Sequence, residues 1–238
     1  MSSLKGKIAL ITGGSKGIGY GIAEVMLKQG MKVAITGRDL ETVEKAASEL
    51  NKLEGEAIGI QADVRNLKSQ EEAVHKIITT WGQIDVLIAN AGIGHFASIE
   101  DLSAEQWNET IDTNLTGVFY SVKATVEQLK KSKGYIFTIS SLAGTNFFAN
   151  GTAYNASKFG LTGFTQALML DLRQYDVKVS TIMPGSVSSY FNGRTPEEGS
   201  DWRIQSEDLG QIIVDLLKIH PRTLPSKVEI RPSKPPRK

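Results

Sequence analysis

Short apolar, β-branched runs alternate along the chain with longer stretches whose apolar positions recur at helical spacing. Ile8–Thr12 is the first run. It leads through a glycine turn into a helix expected to reach about Lys28 and stop at Gly30. Val33–Thr36 reads as the second strand, and Asp39–Asn51 as a helix with Leu40, Val43, Ala47 and Leu50 on one face. Strands follow at Ala57–Gln61 and Val86–Ala89, separated by a helix across roughly Ser69–Trp81. Ser103 and Gln106 form a capping-box pattern that opens one long helix toward Lys131. Tyr135–Ser140 is a strand, Tyr154–Gln174 a long helix, and Lys178–Met183 and Lys227–Ile230 complete the strands, with a last helix near Ser206–Ile219. Strands apolar on both faces and alternating with helices predict an α/β fold, a doubly wound parallel sheet with helices on either side. Ligands of such sheets bind beyond the carboxyl ends of the strands, near the switch in strand order.

Composition narrows the function more than the fold. The chain has 238 residues, 40% of them hydrophobic and 22% charged, enough for a full core. No linker or repeat divides it, so residues 1–238 are expected to form a single domain. A net charge of +1 gives no electrostatic reason to expect nucleic acid or an anionic membrane as partner. Cysteine is absent, which removes disulfides and thiolate metal sites, and no His/carboxylate spacing suggests another metal site. No apolar stretch is long enough to span a bilayer, and the N-terminus carries no apolar leader. Cytoplasm is the expected location.

The candidate chemistry begins with Tyr154 and Lys158, one helical turn apart in AYNASK, and with Ser141, thirteen residues before the tyrosine. Residues at i and i+4 share a helix face, so the ammonium can lie beneath the phenol ring. At an effective dielectric of about 20, a cation ~4 Å away favours the phenolate by ~4 kcal/mol, which could lower the phenol's pKa by up to about three pH units. That makes Tyr154 a candidate general acid. Alone the pair also fits a half-buried tyrosine and a solvated lysine; the rest of the chain adds to it.

Thr12–Gly19, TGGSKGIG, follows a strand and opens a helix. Gly13, Gly17 and Gly19, with Ser15, Lys16 and Ile18 between them, suit a pyrophosphate at a helix N-terminus. The spacing is G-x-x-x-G-x-G, not the commoner G-x-G-x-x-G. At the end of the second strand, where an NAD site usually has an acid, stands Arg38 after Gly37. A guanidinium there, with Lys16 as a second cation, fits a 2′-phosphate, and Asp39 reads as the cap of the second helix. The expected cofactor is NADP(H), preferred over NAD(H). Asp63 and Val64 follow the third strand, where a carboxylate suits an adenine amine, and Asn90, Ala91 and Gly92 follow the fourth.

Together, TGGSKGIG, Asp63, Asn90-Ala-Gly, Asn114, Ser141, Tyr154-x-x-x-Lys158 and Pro184-Gly185 resemble the short-chain dehydrogenase/reductase family, in order and spacing from about residue 5 to residue 190. The resemblance implies a Rossmann-type sheet of about seven strands. It implies that Tyr154 exchanges a proton with the substrate oxygen, that Lys158 lowers the tyrosine's pKa and holds the nicotinamide ribose, and that Ser141 hydrogen-bonds the substrate. Asn114 would hold a water linking Lys158 to solvent. Pro184, Gly185 and Val187 would orient the nicotinamide, with Ser189 where the family often has threonine. Strand alternation favours Ser141 over Ser140. The implied activity is reversible NADPH-dependent reduction of a ketone or aldehyde to an alcohol, by a homodimer or homotetramer whose helices at 104–131 and 154–174 pair across a two-fold axis. A non-catalytic NADP-binding sensor or scaffold is the alternative; a lyase or epimerase would need a longer substrate portion.

Residues 186–205, with Gly193, Pro196, Gly199 and Ser200, are expected to form a mobile lid, and residues 231–238 a flexible tail. The ending VEIRPSKPPRK lacks the glycine-rich tail of 3-oxoacyl-carrier-protein reductases, which weakens an assignment to fatty-acid synthesis. His95 could face the substrate, and Phe147, Phe148, Tyr190 and Phe191 could wall the site; solvated or packing roles fit each equally well.

Overall fold

The computed structural model describes residues 3–193, 195 and 200–235. Seven strands form one parallel sheet: β1 (Ile8–Thr12), β2 (Lys32–Gly37), β3 (Glu56–Gln61), β4 (Val86–Ala89), β5 (Tyr135–Ile139), β6 (Lys178–Pro184) and β7 (Lys227–Ile230), in the order β3-β2-β1-β4-β5-β6-β7. Helices α1 (Gly17–Leu27), α2 (Leu40–Leu50), α3 (Leu67–Trp81), α4 (Ala104–Ile111), α5 (Gly117–Ser132), α6 (Thr152–Leu172) and α7 (Ser206–Lys218) link the strands. This is the Rossmann-type doubly wound fold expected from the alternation.

Period-two alternation sorts each strand between two cores. Ala9 and Ile11 face a cluster built with α1, α2 and α7; Ile8 and Leu10 face one built with α3, α5 and α6. The order reverses between β1 and β4, which pair through Ala9–Val86, Leu10–Leu87 and Ile11–Ile88. The crevice predicted for ligands therefore opens beyond Thr12 and Ala89.

Helix starts follow local capping chemistry. Asp39 caps α2 by accepting from the Thr42 amide at 2.8 Å. Ser103 and Gln106 form the expected reciprocal box on α4. The third helix begins slightly earlier than the pattern predicts, because Asn66 accepts from the Ser69 amide. One departure matters for the site: the single long helix expected from 104 to 131 is two helices joined by a π turn at Asp112–Thr116. A π turn shifts the ladder by one residue and appears often at functional sites. Here it carries Asn114, fully buried.

Candidate active site

The strand ends converge on one cleft of about 950 Å³, lined by residues from the glycine turn, the ends of β2 to β6 and the segment after β6. At its floor, Gly13 (φ 65°) and Gly17 (φ 59°) adopt the left-handed backbone that glycine tolerates. Lys16 precedes α1 in extended conformation with no side-chain cap, so the first helical amides have no side-chain acceptor there. Gly13 also permits close approach: a Cβ on it would lie 2.9 Å from Ala91 Cα. Asn90 fixes the turn by donating from Nδ2 to the carbonyls of Thr12 (2.9 Å) and Gly13 (3.0 Å), while Thr12 Oγ1 accepts from the Asn90 and Ala91 amides. Gly19 serves the same contact, since a Cβ would reach 2.5 Å from the Gly13 carbonyl oxygen. Gly37 is small because α2 packs on it, its Cβ position lying 2.7 Å from Val43 Cγ1.

On the β2 side, the Asp39 carboxylate is held by the Thr42 amide and hydroxyl, which keep its pKa low. The Arg38 guanidinium lines the cleft and makes no ion pair among the described residues. Asp63 is more engaged than its spacing predicts. Arg65 donates to it from both Nε and Nη2, at 3.1 and 2.7 Å, and lowers its pKa. Arg65 lies 3.7 Å from Glu109, which meets His95 Nε2 at 2.9 Å. His95 thus lines the cleft but is tied to a carboxylate. Val64 packs near the π turn, 2.8 Å from the Cβ position of Gly117.

Deeper in the cleft, Lys158 is 5% exposed and donates to the Ile139 carbonyl at 2.9 Å. Burial pulls its pKa down to about 8. Its Nζ is 5.7 Å from the Tyr154 ring centroid. Burial raises the Tyr154 pKa and the Ser141 hydroxyl pulls it back, with the first effect larger. This corrects the expectation of a phenol acidified by a neighbouring ammonium: burial of the phenol is the larger effect, and the amine is itself desolvated and turned to a backbone carbonyl. Ser141 Oγ accepts from the Ala143 amide at 3.1 Å. Ser140, by contrast, bonds Thr162 at 3.1 Å and the Lys158 carbonyl at 3.3 Å.

Asn114 is nearly saturated. Its Oδ1 accepts from the Ile93 amide at 2.8 Å, and Nδ2 donates to the Ile93 carbonyl at 2.8 Å and to Ser157 Oγ at 3.0 Å. The side chain therefore clamps the loop after β4 onto α6, beside the lysine. A Cβ on Gly92 would lie 3.2 Å from Asn114 Oδ1 and 3.7 Å from Lys158 Nζ. Pro184 ends β6, Gly185 donates to the Ile230 carbonyl at 2.8 Å, Val187 bridges to Ile204, and Ser189 Oγ accepts from the Phe191 amide at 3.4 Å. Of the segment 186–205, Arg194, Pro196 and Gly199 lie outside the described residues, as do residues 236–238 of the tail.

Some cleft residues escape a reading by motif. Phe96 packs edge-on to Tyr154, with centroids 5.3 Å apart, and Arg65 and Glu109 join the polar rim. Of the aromatic residues that could wall the site, Phe148, Tyr190 and Phe191 line the cleft, whereas Phe147 is 86% exposed. Among the described residues no metal-binding cluster of His, Asp or Glu occurs, and no helix is long and apolar enough to cross a membrane.

The family model for short chain dehydrogenases matches residues 7–199. A trans-4-hydroxycyclohexanecarboxylate dehydrogenase of Sinomonas cyclohexanicum is 38% identical over 191 residues, covering 77% of this chain and 73% of the relative. Among solved structures, an alcohol dehydrogenase from the archaeon Thermococcus sibiricus, complexed with 5-hydroxy-NADP, superimposes with a TM-score of 0.91 at 29% identity, covering 98% of this chain and 100% of the other. A metagenomic short-chain oxidoreductase in complex with NADP gives a TM-score of 0.86 at 31% identity, with coverage of 98% and 100%.

Proposed function

The chain belongs to the short-chain dehydrogenase family, an oxidoreductase family acting on alcohol and carbonyl groups, and on that premise we propose that it is an NADPH-preferring reductase of ketones or aldehydes. The observation that carries the reading is the joint placement of Tyr154, Ser141 and the buried Lys158 in the cleft that also holds the glycine turn and Arg38. The donor set fits a nicotinamide dinucleotide: uncapped amides at α1 and Lys16 for the pyrophosphate, Arg38 for a 2′-phosphate, Asp63 and Val64 for adenine, Asn90 to Gly92 along the middle, and Pro184 to Ser189 at the nicotinamide. Bound NADPH supplies the hydride that reduces the carbonyl carbon.

The chain's own residues do the rest. Ser141 and Tyr154 hydrogen-bond the carbonyl oxygen, and Tyr154 delivers the proton that completes the alcohol. Lys158, cationic below pH 8, stabilises negative charge developing on the phenol oxygen. Asn114 holds the β4 loop and α6 in register beside that amine. In the alcohol-to-carbonyl direction the proton returns to Tyr154.

The cation at Arg38 and the commitment of Asp39 to capping favour NADP(H) over NAD(H). The alcohol dehydrogenase of similar fold carries an NADP derivative, which agrees with that choice. Trp107, Phe119 and Phe159, on α4, α5 and α6, remain 37%, 45% and 43% exposed, and a second copy of the chain covers them in the proposed homo-oligomer. One domain, working in the cytoplasm, completes the reading.

The test is NADPH consumption across a panel of ketones and aldehydes, with cofactor binding followed by fluorescence. Turnover with NADPH exceeding that with NADH is the expected result. Tight NADPH binding with no turnover on any carbonyl would favour the sensor reading instead.

A further inference from the structure

Phenylalanines from three different strand ends gather around Tyr154: Phe96 and Phe191 pack on its ring, and Phe148 packs on Phe96. Phe96 follows β4, Phe148 follows β5 and Phe191 follows β6. Phe96 meets the Tyr154 ring at 5.3 Å with planes at 62°, and Phe191 lies 5.6 Å from the same ring. Phe191 is 6.3 Å from Phe96, and Phe148 is 5.9 Å from it. None of these pairs is stacked; the planes are tilted by 44° to 68°. All three phenylalanines line the cleft, and Phe96 and Phe148 stay 40% and 48% exposed. Exposed aromatic area gathered in a concave site marks an apolar ligand wall.

The wall is closely fitted. A Cβ on Gly94 would come within 2.7 Å of Phe191 Cζ and 2.9 Å of Phe96 Cζ, so any larger residue would have to displace the ring ends. Beyond Phe191 the chain turns through Asn192 (φ 56°) and Gly193 (φ 72°), both in the left-handed region.

We propose that this aromatic cage sets the substrate class: a ketone whose carbonyl belongs to, or is directly attached to, a single six-membered ring. The inference rests on the reductase reading above. If the Tyr154 phenol meets the carbonyl oxygen, the rings around that phenol meet whatever is bonded to the carbonyl carbon. Tilted aromatic walls give a rigid ring edge-to-face and offset contacts. A rigid ring also arrives with few rotors to freeze, whereas a linear chain loses freedom at each bond it immobilises. Phe96 is thus a specificity-determining residue, and Phe191, packed on the same Tyr154 ring, is its counterpart.

The experiment compares initial rates of NADPH consumption with cyclohexanone, acetophenone and the linear 2-octanone, for the wild type, Phe96→Ala, Phe96→Leu and Phe191→Ala. The wild type should favour the cyclic ketones by about tenfold or more in kcat/KM. Phe96→Ala should lower kcat/KM for them about tenfold, chiefly through KM, and narrow the preference for rings. Phe96→Leu should recover part of the loss, with NADPH affinity unchanged in both. Phe191→Ala, altering an exposed segment, gives the same readout if Phe96→Ala folds poorly. Equal kcat/KM for ring and chain in the wild type, or a ring preference untouched by Phe96→Ala and Phe191→Ala, would overturn the cage and leave the reductase reading standing. Absence of turnover on every ketone, with NADPH still bound, would remove both.

Discussion

Two charged side chains lie almost beyond the reach of water at opposite ends of the same sheet, and their surroundings differ. At the N-terminal end, Asp85 is 4% exposed. Its carboxylate receives Lys7 Nζ at 2.7 Å, the Ile8 amide at 2.9 Å and Gln83 Nε2 at 2.9 Å. At the C-terminal end, Lys158 is 5% exposed and donates to one acceptor, the Ile139 carbonyl, with no carboxylate partner among the described residues. A buried charge is costly unless it is paired and hydrogen-bonded. Asp85 meets that condition and ties β1 to the start of β4. Lys158 does not, and its lowered pKa records the deficit. The difference teaches where to look for chemistry: the compensated charge ties the fold together, and the uncompensated one lines the cleft, where the proposed cofactor would meet it.

The largest effect expected from breaking this contrast is at the cleft end. Tyr154→Phe should lower kcat/KM for carbonyl reduction about a thousandfold while leaving NADPH binding and the melting temperature close to wild type. A loss below about tenfold would place the proton transfer elsewhere. Arg38→Asp comes next. It should reduce the NADPH-to-NADH preference in kcat/KM about a hundredfold, because it removes a charge-assisted clamp and adds repulsion toward a 2′-phosphate. Equal losses with both cofactors would show that Arg38 does not read that group. Asp85→Ala should do the reverse of both. It leaves the Ile8 amide without its acceptor and so costs about 2 kcal/mol of stability, measured as a lower urea midpoint, with kcat/KM for the folded enzyme unchanged.

The difference between the ends also shows what a sequence can disclose. Strand positions, the glycine turn and the Tyr154–Lys158 spacing are legible because they are local and periodic. Asp39 as a helix cap and Ser103 with Gln106 as a box are legible for the same reason. The π turn around Asn114 is not, since its residues carry the same helical period as their neighbours and only the packing of Asn114 onto Ile93 and Ser157 distinguishes them. Arg65 is hidden for another reason: its hold on Asp63 is local, but its reach to Glu109 joins the segment after β3 to α4, far apart in sequence. Phe96 follows the more conspicuous His95 in a loop, where no period says which side chain enters the cleft. Most consequentially, i and i+4 spacing places Lys158 near Tyr154 but cannot say how far apart, or that the amine turns to Ile139. Nor does the spacing disclose that Tyr154 is buried, which is what raises its pKa.

The smallest expected effect, a change of a few degrees in melting temperature, tests the electrostatic half of the contrast alone. Burial brings the Lys158 pKa from 10.5 in the unfolded chain to about 8 in the folded one. Between those values the unfolded chain holds the proton and the folded chain has released it, so stability rises with pH through that window. Below pH 8 the cost of enclosing the ammonium is fully present; above pH 10.5 it is gone. Lys158→Met removes the cost and leaves the Ile139 carbonyl without its donor, an opposing loss of about 1 kcal/mol. The variant should therefore be inactive yet melt a few degrees higher than wild type at pH 7. That advantage should shrink and reverse as pH climbs past 8. A variant that melts lower than wild type by the same margin at pH 7 and above pH 10.5 would mean that the amine is as well compensated as Asp85. The two ends of the sheet would then differ in position alone, and Lys158 would lose its standing as the uncompensated charge.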